Sequence, residues 1–279
     1  MHRELEKEIE KSTQRMRLWV QVLAIGGILY LVGLLILYAT QNPVLFPTIA
    51  LLGSFLVPAA FVAFFYENRE LSRLPLAVVV LAFLYGGALG VFAASILESL
   101  FLTGLTFFTA FEVGLIEEFS KILPVFILAK GQKHQSQTNG LILGAALGMG
   151  FAALESSGYA FASFIESRGN LTFTVGVILL RAVLAPVGHG AWTAILTGIL
   201  FRESLPYRFR LNATVILTYL GVSLLHGLWD GLPILLGGLF GSVISIFLGE
   251  FLVSGISLGW LYWLWQNAKS RQITDIQED

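Results

Sequence analysis

The chain contains no cysteine, so it has neither a disulfide nor a thiolate that could act as a nucleophile or a metal ligand. Charged side chains are also scarce, since they make up 13% of the residues against roughly 25% in typical soluble domains. The formal net charge of −1 points to neither a basic nor an acidic partner. These shortages exclude cysteine chemistry and argue against a soluble protein.

Apolar residues are abundant instead: 56% of the chain is hydrophobic and its mean hydropathy is +0.78. Apolar segments recur along the whole chain, and each is long enough to cross the ~30 Å hydrocarbon core of a bilayer. We therefore predict an all-α, polytopic membrane protein with about eight transmembrane helices. The predicted spans are residues 18–40, 44–66, 75–98, 106–129, 138–165, 172–200, 211–235 and 239–265.

Basic residues set the predicted orientation. All of the 17 lysines and arginines except Lys121, Arg168 and Arg181 fall in segments on one side of the eight-span arrangement. The positive-inside rule then places both termini in the cytoplasm. We predict a charged N-terminal segment (1–17), a single transmembrane domain (18–265) with its motifs at about 75–236, and a tail (266–279). The N-terminal segment is too charged for a cleavable signal peptide and forms either a surface helix or a solvated tail.

Ionisable residues inside predicted spans are rare and suggest function by default. Here they collect on four consecutive spans, so we predict one shared polar site within the bundle. They are Glu112, Glu117, Glu118 and Lys121 in the fourth span, Glu155 in the fifth, Arg181 and His189 in the sixth, and His226 and Asp230 in the seventh.

Helical spacing pairs some of these residues. Glu117 and Lys121 are four apart and share a face, whereas Glu118 is rotated by about 100°. His226 and Asp230 are also four apart, so the aspartate is placed to accept a hydrogen bond from the imidazole and fix its tautomer. The carboxylates suit general acid–base catalysis, and a glutamate with two histidines suits zinc. The residues alone leave both chemistries open.

Structural readings remain for the other polar positions. Arg181 is expected to neutralise an acid or bind a lipid head group, and Glu112 to face the outer interface or support the other polar residues. Glu250, alone in the eighth span, receives no role. The stripe of small residues from Gly140 to Ser156 at four-residue spacing is typical of close helix packing.

Four motifs follow one another on these spans: EEFSK (Glu117, Glu118, Lys121), FAALE (Phe151, Glu155), HGAWT (His189) and HGLWD (His226, Asp230). In this order they resemble the PrsW family of intramembrane proteases, distant relatives of the CAAX-prenyl endopeptidases. A lysine at 121 and a glutamate at 155 depart from the CAAX-type pattern and argue against prenylated substrates.

The resemblance implies that Glu117 is the base that activates a water molecule. It implies that Glu118 and Lys121 tune or position this base. His189 and His226 would hold the water and stabilise the oxyanion.

Two further roles follow from the same resemblance. Asp230 would orient His226, and Glu155 would complete the polar ring or share the proton. We expect a metal-free site, because only two imidazoles are present and no HExxH motif occurs. In the alternative, zinc is bound by Glu155, His189 and His226.

The leading functional prediction is an endopeptidase of the bacterial cytoplasmic membrane. Its expected partners are the lipid bilayer and a membrane-anchored protein substrate, with an anti-sigma factor cut on the outer side as the family's best-known case; no nucleic acid is expected. A coupled transporter is one alternative, although no repeat relates the two halves of the chain. A non-catalytic homologue is the other.

Overall fold

The computed structural model describes residues 17–69, 72, 74–130 and 136–278. The predicted surface helix or tail at the N-terminus therefore lies outside the described residues, apart from Arg17. Within the described part, eight helices are long enough to cross a membrane. They are α1 (Leu18–Thr40), α2 (Phe46–Glu67), α3 (Leu76–Phe101), α4 (Thr109–Leu128), α5 (Gln137–Glu166), α6 (Leu171–Glu203), α7 (Ala213–Phe240) and α8 (Ser242–Glu278).

The all-α membrane fold is confirmed. Seven of the described helices are long and apolar enough, and carry few enough charges, to span a bilayer. The remaining one, α4, has 20 residues but carries the charged motif that begins at Glu117. The last helix continues from the predicted span through the predicted tail and ends at Glu278. The orientation of the bundle in the membrane and the division into three segments stay predictions.

Polar residues at the predicted boundaries begin several helices. Ser136, Asn170 and Asn212 precede α5, α6 and α7, and the side chain of each accepts a hydrogen bond from a backbone N–H of the first turn. Such caps satisfy donors that have no partner within the helix. The starts of the three helices that carry Glu155, His189 and His226 are thereby fixed locally.

The most buried span is α5, and its small residues explain why. A Cβ atom on Gly144 would lie 2.4 Å from the carbonyl oxygen of Thr193, and one on Gly148 would lie 2.3 Å from that of His189. Glycine is therefore required for the backbones of α5 and α6 to approach this closely. The stripe of small residues is structural, as predicted, and it brings α6 against α5 at the level of His189.

A π-helical segment, Pro186–Gly190, divides α6 into two halves that pack differently. The half before it, Leu171–Ala185, contacts α5 and α2, whereas the half after it, Ala191–Glu203, contacts α4, α5, α7 and α8. Proline cannot donate the backbone hydrogen bond of a regular helix, which favours an irregular turn at this point. His189 lies within this turn.

A second close approach joins α4 to α7. A Cβ atom on Gly114 would lie 2.4 Å from the carbonyl oxygen of Ser223, and one on Gly227 would lie 2.5 Å from the ring of Phe111. Small residues at both positions let the two helices meet in the centre of the bundle. The acidic motif of α4 is thus brought next to the second histidine motif.

Candidate active site

The seven predicted site residues lie together where α4, α5, α6 and α7 meet. A continuous network of hydrogen bonds and ion pairs connects all seven. The sequence predicted one shared site on these four helices, and the structure places all seven residues in it. They are Glu117, Glu118, Lys121, Glu155, His189, His226 and Asp230.

Lys121 is the centre of the network. Its Nζ atom lies 2.9 Å from Oε2 of Glu117, 2.8 Å from Oε1 of Glu118 and 2.7 Å from Nδ1 of His189. The side chain is 1% exposed. An ammonium group has three hydrogens and no lone pair, so all three hydrogens of Lys121 are donated. Although Glu118 is rotated by about 100° from Glu117 around the helix, the long lysine side chain reaches both acids.

The tautomer of His226 is set by Glu118. Nδ1 of His226 lies 2.9 Å from Oε1 of Glu118, and both side chains are buried. An ionised carboxylate can only accept, so Nδ1 carries the hydrogen and the lone pair is on Nε2. The sequence had assigned this orienting role to Asp230. In the structure the carboxylate of Asp230 lies 3.5 Å from Nε2 instead, at the opposite edge of the ring.

His189 is held in the other tautomer. Its Nδ1 accepts from Lys121, while its Nε2 lies 3.2 Å from Oε2 of Glu155. Because the carboxylate of Glu155 only accepts, Nε2 carries the hydrogen. Glu155 also accepts a 2.7 Å bond from Nη2 of Arg181. Arg181 therefore neutralises an acid, which is one of the two roles expected from the sequence.

Two aromatic rings pack against residues of the network. Lys121 lies 4.2 Å from the ring centroid of Phe151, which belongs to the FAALE motif. The ring of Trp192 stacks on His226 with centroids 4.7 Å apart, and its Nε1 donates to Oγ of Ser257 at 2.8 Å. Trp192 was missed by the sequence analysis, although it is the tryptophan of HGAWT, three residues after the histidine.

A cavity of about 590 Å³ leads to the site. It is bounded by α3, α4, α5, α6, α7 and α8, and it extends from Glu117 to Leu102 and Leu105 in the connection between α3 and α4. Under the predicted orientation this connection lies on the outer side. Glu117 lines the cavity, whereas Glu118 and Lys121 do not, since they lie behind it. Of the three charged residues of the EEFSK motif, Glu117 alone is therefore open to the cavity.

Three further acids were given no chemical role, and they differ in position. Glu112 is exposed and lies outside the cavity wall. Glu250 of α8 and Glu98 of α3 line the cavity. Sequence reasoning missed both, because each is the single acid of its span and no spacing connects it to a motif.

Glu117, His189 and His226 could hold a metal ion among the described residues. All three are buried, and one ligand atom from each lies within 4.8 Å of the others. One carboxylate and two imidazoles form a donor set typical of catalytic zinc. Glu117 replaces Glu155 in the set predicted from the sequence, since Glu155 is engaged by Arg181 and His189. The Nδ1–H bond from His226 to Glu118 is the kind that orients a histidine ligand.

Comparisons with known proteins agree with this architecture. Residues 74–256 match the family described as PrsW family intramembrane metalloprotease. The chain is also similar to Protease PrsW of Halalkalibacterium halodurans, with 31% identity over 193 residues that cover 67% of this chain and 84% of the relative. No solved structure gives a significant match. All seven predicted site residues fall inside the matched segment.

Proposed function

The chain belongs to the PrsW family of intramembrane metalloproteases, and from this premise we propose which residues cut the substrate and how. It is a multi-pass membrane protein and a peptide hydrolase, which decides against the transporter alternative. We propose that Glu117 is the general base and that the substrate is a membrane-anchored protein whose scissile bond enters the cavity between α3 and α8.

The observation that carries this proposal is the unequal exposure of the two adjacent glutamates. Glu117 reaches the cavity wall, whereas Glu118 is 0% exposed and does not line the cavity. Only a carboxylate that meets water can take a proton from it. Glu118 instead accepts hydrogen bonds from Lys121 and His226, and it positions both.

The proposed reaction begins with a water molecule that contacts Oε2 of Glu117 and Nε2 of His226, which are 3.6 Å apart. Glu117 takes one proton from the water as the oxygen attacks the carbonyl carbon of the peptide. When the carbon–nitrogen bond breaks, Glu117 returns the proton to the leaving amine. His226 accepts a hydrogen bond from the water through its free lone pair.

Lys121 donates a hydrogen bond to Oε2 of Glu117 within the protein interior and so positions this carboxylate. His189 receives the third lysine hydrogen and so holds the ammonium in place. Asp230 flanks Nε2 of His226 and stabilises the imidazolium if the ring takes up a proton. Glu155 holds the ring of His189 and completes the polar wall.

The residues present also fit the metal that the family description implies. Glu117, His189 and His226 would hold it, and His226 offers the free lone pair on Nε2 that a ligand needs. His189 would have to release its bond to Lys121 or to Glu155, because both of its ring nitrogens are engaged. When bound, zinc would supply Lewis-acid polarisation of the scissile carbonyl. The family description favours this alternative over the metal-free site expected from the sequence.

The substrate and its location complete the proposal. We place the protein in a bacterial cytoplasmic membrane, since the similar Protease PrsW is bacterial. The cavity reaches the α3–α4 connection, which supports cleavage near the outer face of the membrane. A single-span anti-sigma factor fits this class of substrate. A distant relation to the CAAX-prenyl endopeptidases stays a prediction.

The test uses purified protein in detergent with a pool of single-span bacterial membrane proteins, and new termini are read by mass spectrometry. Glu117→Gln should abolish all cuts made by the wild type. Glu112→Gln is the matched control, because Glu112 is an exposed acid on the same helix that lies outside the cavity wall. It should cut normally. Equal thermal stability of the two variants would show that loss of cutting is chemical.

Each reaction is repeated with a chelator and with added zinc. Cuts that resist the chelator and vanish in Glu117→Gln support a metal-free glutamate base. Cuts that the chelator stops and zinc restores assign Glu117, His189 and His226 as ligands instead. Cutting by Glu117→Gln at the wild-type rate would overturn the proposed role of Glu117.

A further inference from the structure

Arg181 is the cation of the cavity wall. Of the described residues that line the cavity, it alone carries a fixed positive charge. The sixth helix presents it from the half before the π segment, and its side chain is 22% exposed. The proposed reaction assigns no role to this arginine.

Contacts with three residues of α5 fix the orientation of the guanidinium group. Nε donates to Oγ of Ser156 at 3.1 Å, and Nη2 donates to Oε2 of Glu155 at 2.7 Å. The guanidinium carbon lies 4.0 Å from the ring centroid of Tyr159, a distance typical of a cation–π contact. A planar group held at its edge and its face has one orientation. It therefore fixes the carboxylate that it binds.

The oxygen of Glu155 that accepts from Arg181 is also the oxygen that faces Nε2 of His189. The position of Arg181 is thereby transmitted through one atom to the imidazole. The hydrogen is kept on Nε2 of His189, and the lone pair on Nδ1 is kept for Lys121. We propose that Arg181 is a positioning residue, which acts through Glu155 to hold His189 in the tautomer that anchors the ammonium of Lys121.

If the Arg181–Glu155 ion pair only held α5 and α6 together, its loss would destabilise the fold. The two helices are already joined by the close approach at Gly144 and Gly148. Loss of the guanidinium should therefore leave the fold intact while Glu155 and His189 gain freedom. The inference rests on the proposed role of the network around Lys121, and its test has one arm that needs no proteolysis.

The kinetic arm compares Arg181→Ala, Arg181→Lys and the wild type on a cleaved substrate. Arg181→Ala should lower kcat about 10- to 100-fold, as loss of an outer-shell partner does, with KM changed less than about twofold. Millimolar guanidinium should restore part of kcat, because the vacated space lies on the cavity wall, whereas methylammonium should not. Arg181→Lys, which keeps the charge without the fork, should fall between the two.

A double-mutant cycle identifies the route through Glu155. If Arg181 acts through this carboxylate, Arg181→Ala should have little further effect in the Glu155→Gln background, and guanidinium should not rescue the double variant. Additive losses would overturn the inference. So would a loss of Tm in Arg181→Ala that guanidinium does not reverse, because it would indicate that the ion pair only holds the two helices together.

The arm without proteolysis uses ¹⁵N-histidine labelling, which is practical because the chain has only four histidines. The ¹⁵N shifts of His189 should report a hydrogen on Nε2 in the wild type and a mixture of tautomers in Arg181→Ala. The signals of His226 should change little. An unchanged His189 overturns the inference, whether or not the protein cuts. Absence of cutting by the wild type would refute the proposed function, while the shifts would still decide the role of Arg181.

Discussion

His189 and His226 face each other with ring centroids 5.2 Å apart, nearly perpendicular, and their hydrogen bonds hold them in opposite tautomers. Nε2 carries the hydrogen in His189, because Lys121 occupies Nδ1. Nδ1 carries it in His226, because Glu118 occupies that side. As a result only one imidazole, that of His226, presents a free lone pair beside Glu117. The two histidine motifs look alike in sequence, but their imidazole rings have different chemical roles.

Removing the central cation should strongly destabilise the protein. Lys121→Met leaves the buried carboxylate of Glu117 without its donor and that of Glu118 with His226 alone, and loss of one partner of a buried ion pair costs about 3–5 kcal/mol of unfolding free energy. We expect a lower apparent Tm in detergent and no cleavage. The matched control, Lys121→Met with Glu117→Gln and Glu118→Gln, should recover Tm but not activity. An unchanged Tm in Lys121→Met alone would contradict the network.

Glu118 rather than Asp230 should control the ring of His226. Charge-assisted hydrogen bonds are roughly twice as strong as neutral ones, so Glu118→Gln loosens the Nδ1–H bond. We expect kcat to fall about 10- to 100-fold, as for other orienting partners, with ¹⁵N shifts of His226 altered. Asp230→Asn should change those shifts less. The opposite ranking of the two variants would restore the role that the sequence gave to Asp230.

The stripe of α5 should not tolerate a methyl group near the site. A Cβ atom on residue 148 meets the carbonyl of His189 at 2.3 Å, and such overpacking costs about 1–3 kcal/mol. Gly148→Ala should lower both Tm and kcat. Gly176→Ala is the matched control, since nothing lies within 4 Å of its added methyl group. If both variants keep the wild-type Tm, the close contact between α5 and α6 is not needed.

The stability of the protein should depend on the hydrogen bond that the indole of Trp192 donates to Ser257. Ser257→Ala leaves a buried N–H without a partner, at a penalty of about 1–3 kcal/mol. Trp192→Phe removes the donor and should lower kcat through the loss of stacking on His226. Adding Ser257→Ala to Trp192→Phe should then lower Tm much less than Ser257→Ala alone. Additive changes in Tm would argue that the hydrogen bond contributes little.

Much of the fold could be predicted from composition and hydrophobic periodicity, because few backbone structures satisfy their hydrogen bonds within a bilayer. Apolar runs located the eight described helices to within a few residues, except that the last one extends far beyond residue 265. The i, i+4 rule paired Glu117 with Lys121. It failed for Glu118, since a flexible lysine also reaches the position three residues earlier.

Tertiary contacts account for what the sequence could not supply. Glu118 and His226 are 108 residues apart, and neither motif indicates that the two side chains form a hydrogen bond. The sequence predicted that Arg181 could neutralise an acid. That this acid is Glu155 depends on how the half of α6 before the π segment packs against α5. Likewise, the exchange of Glu155 for Glu117 as the potential metal ligand depends on distances between helices that no motif contains.

The charged motif of α4 has a consequence for how the chain is built into the bilayer. Each charge at the centre of an isolated helix costs about 2.5–3.5 kcal/mol on the scale of insertion experiments, and α4 is the one described long helix that carries too many charges for a typical membrane span. Its partners His189 and His226 are synthesised 68 and 108 residues after the residues they bind. We therefore expect the fourth helix to insert stably only together with the sixth and seventh, whose histidines pair with its charged side chains.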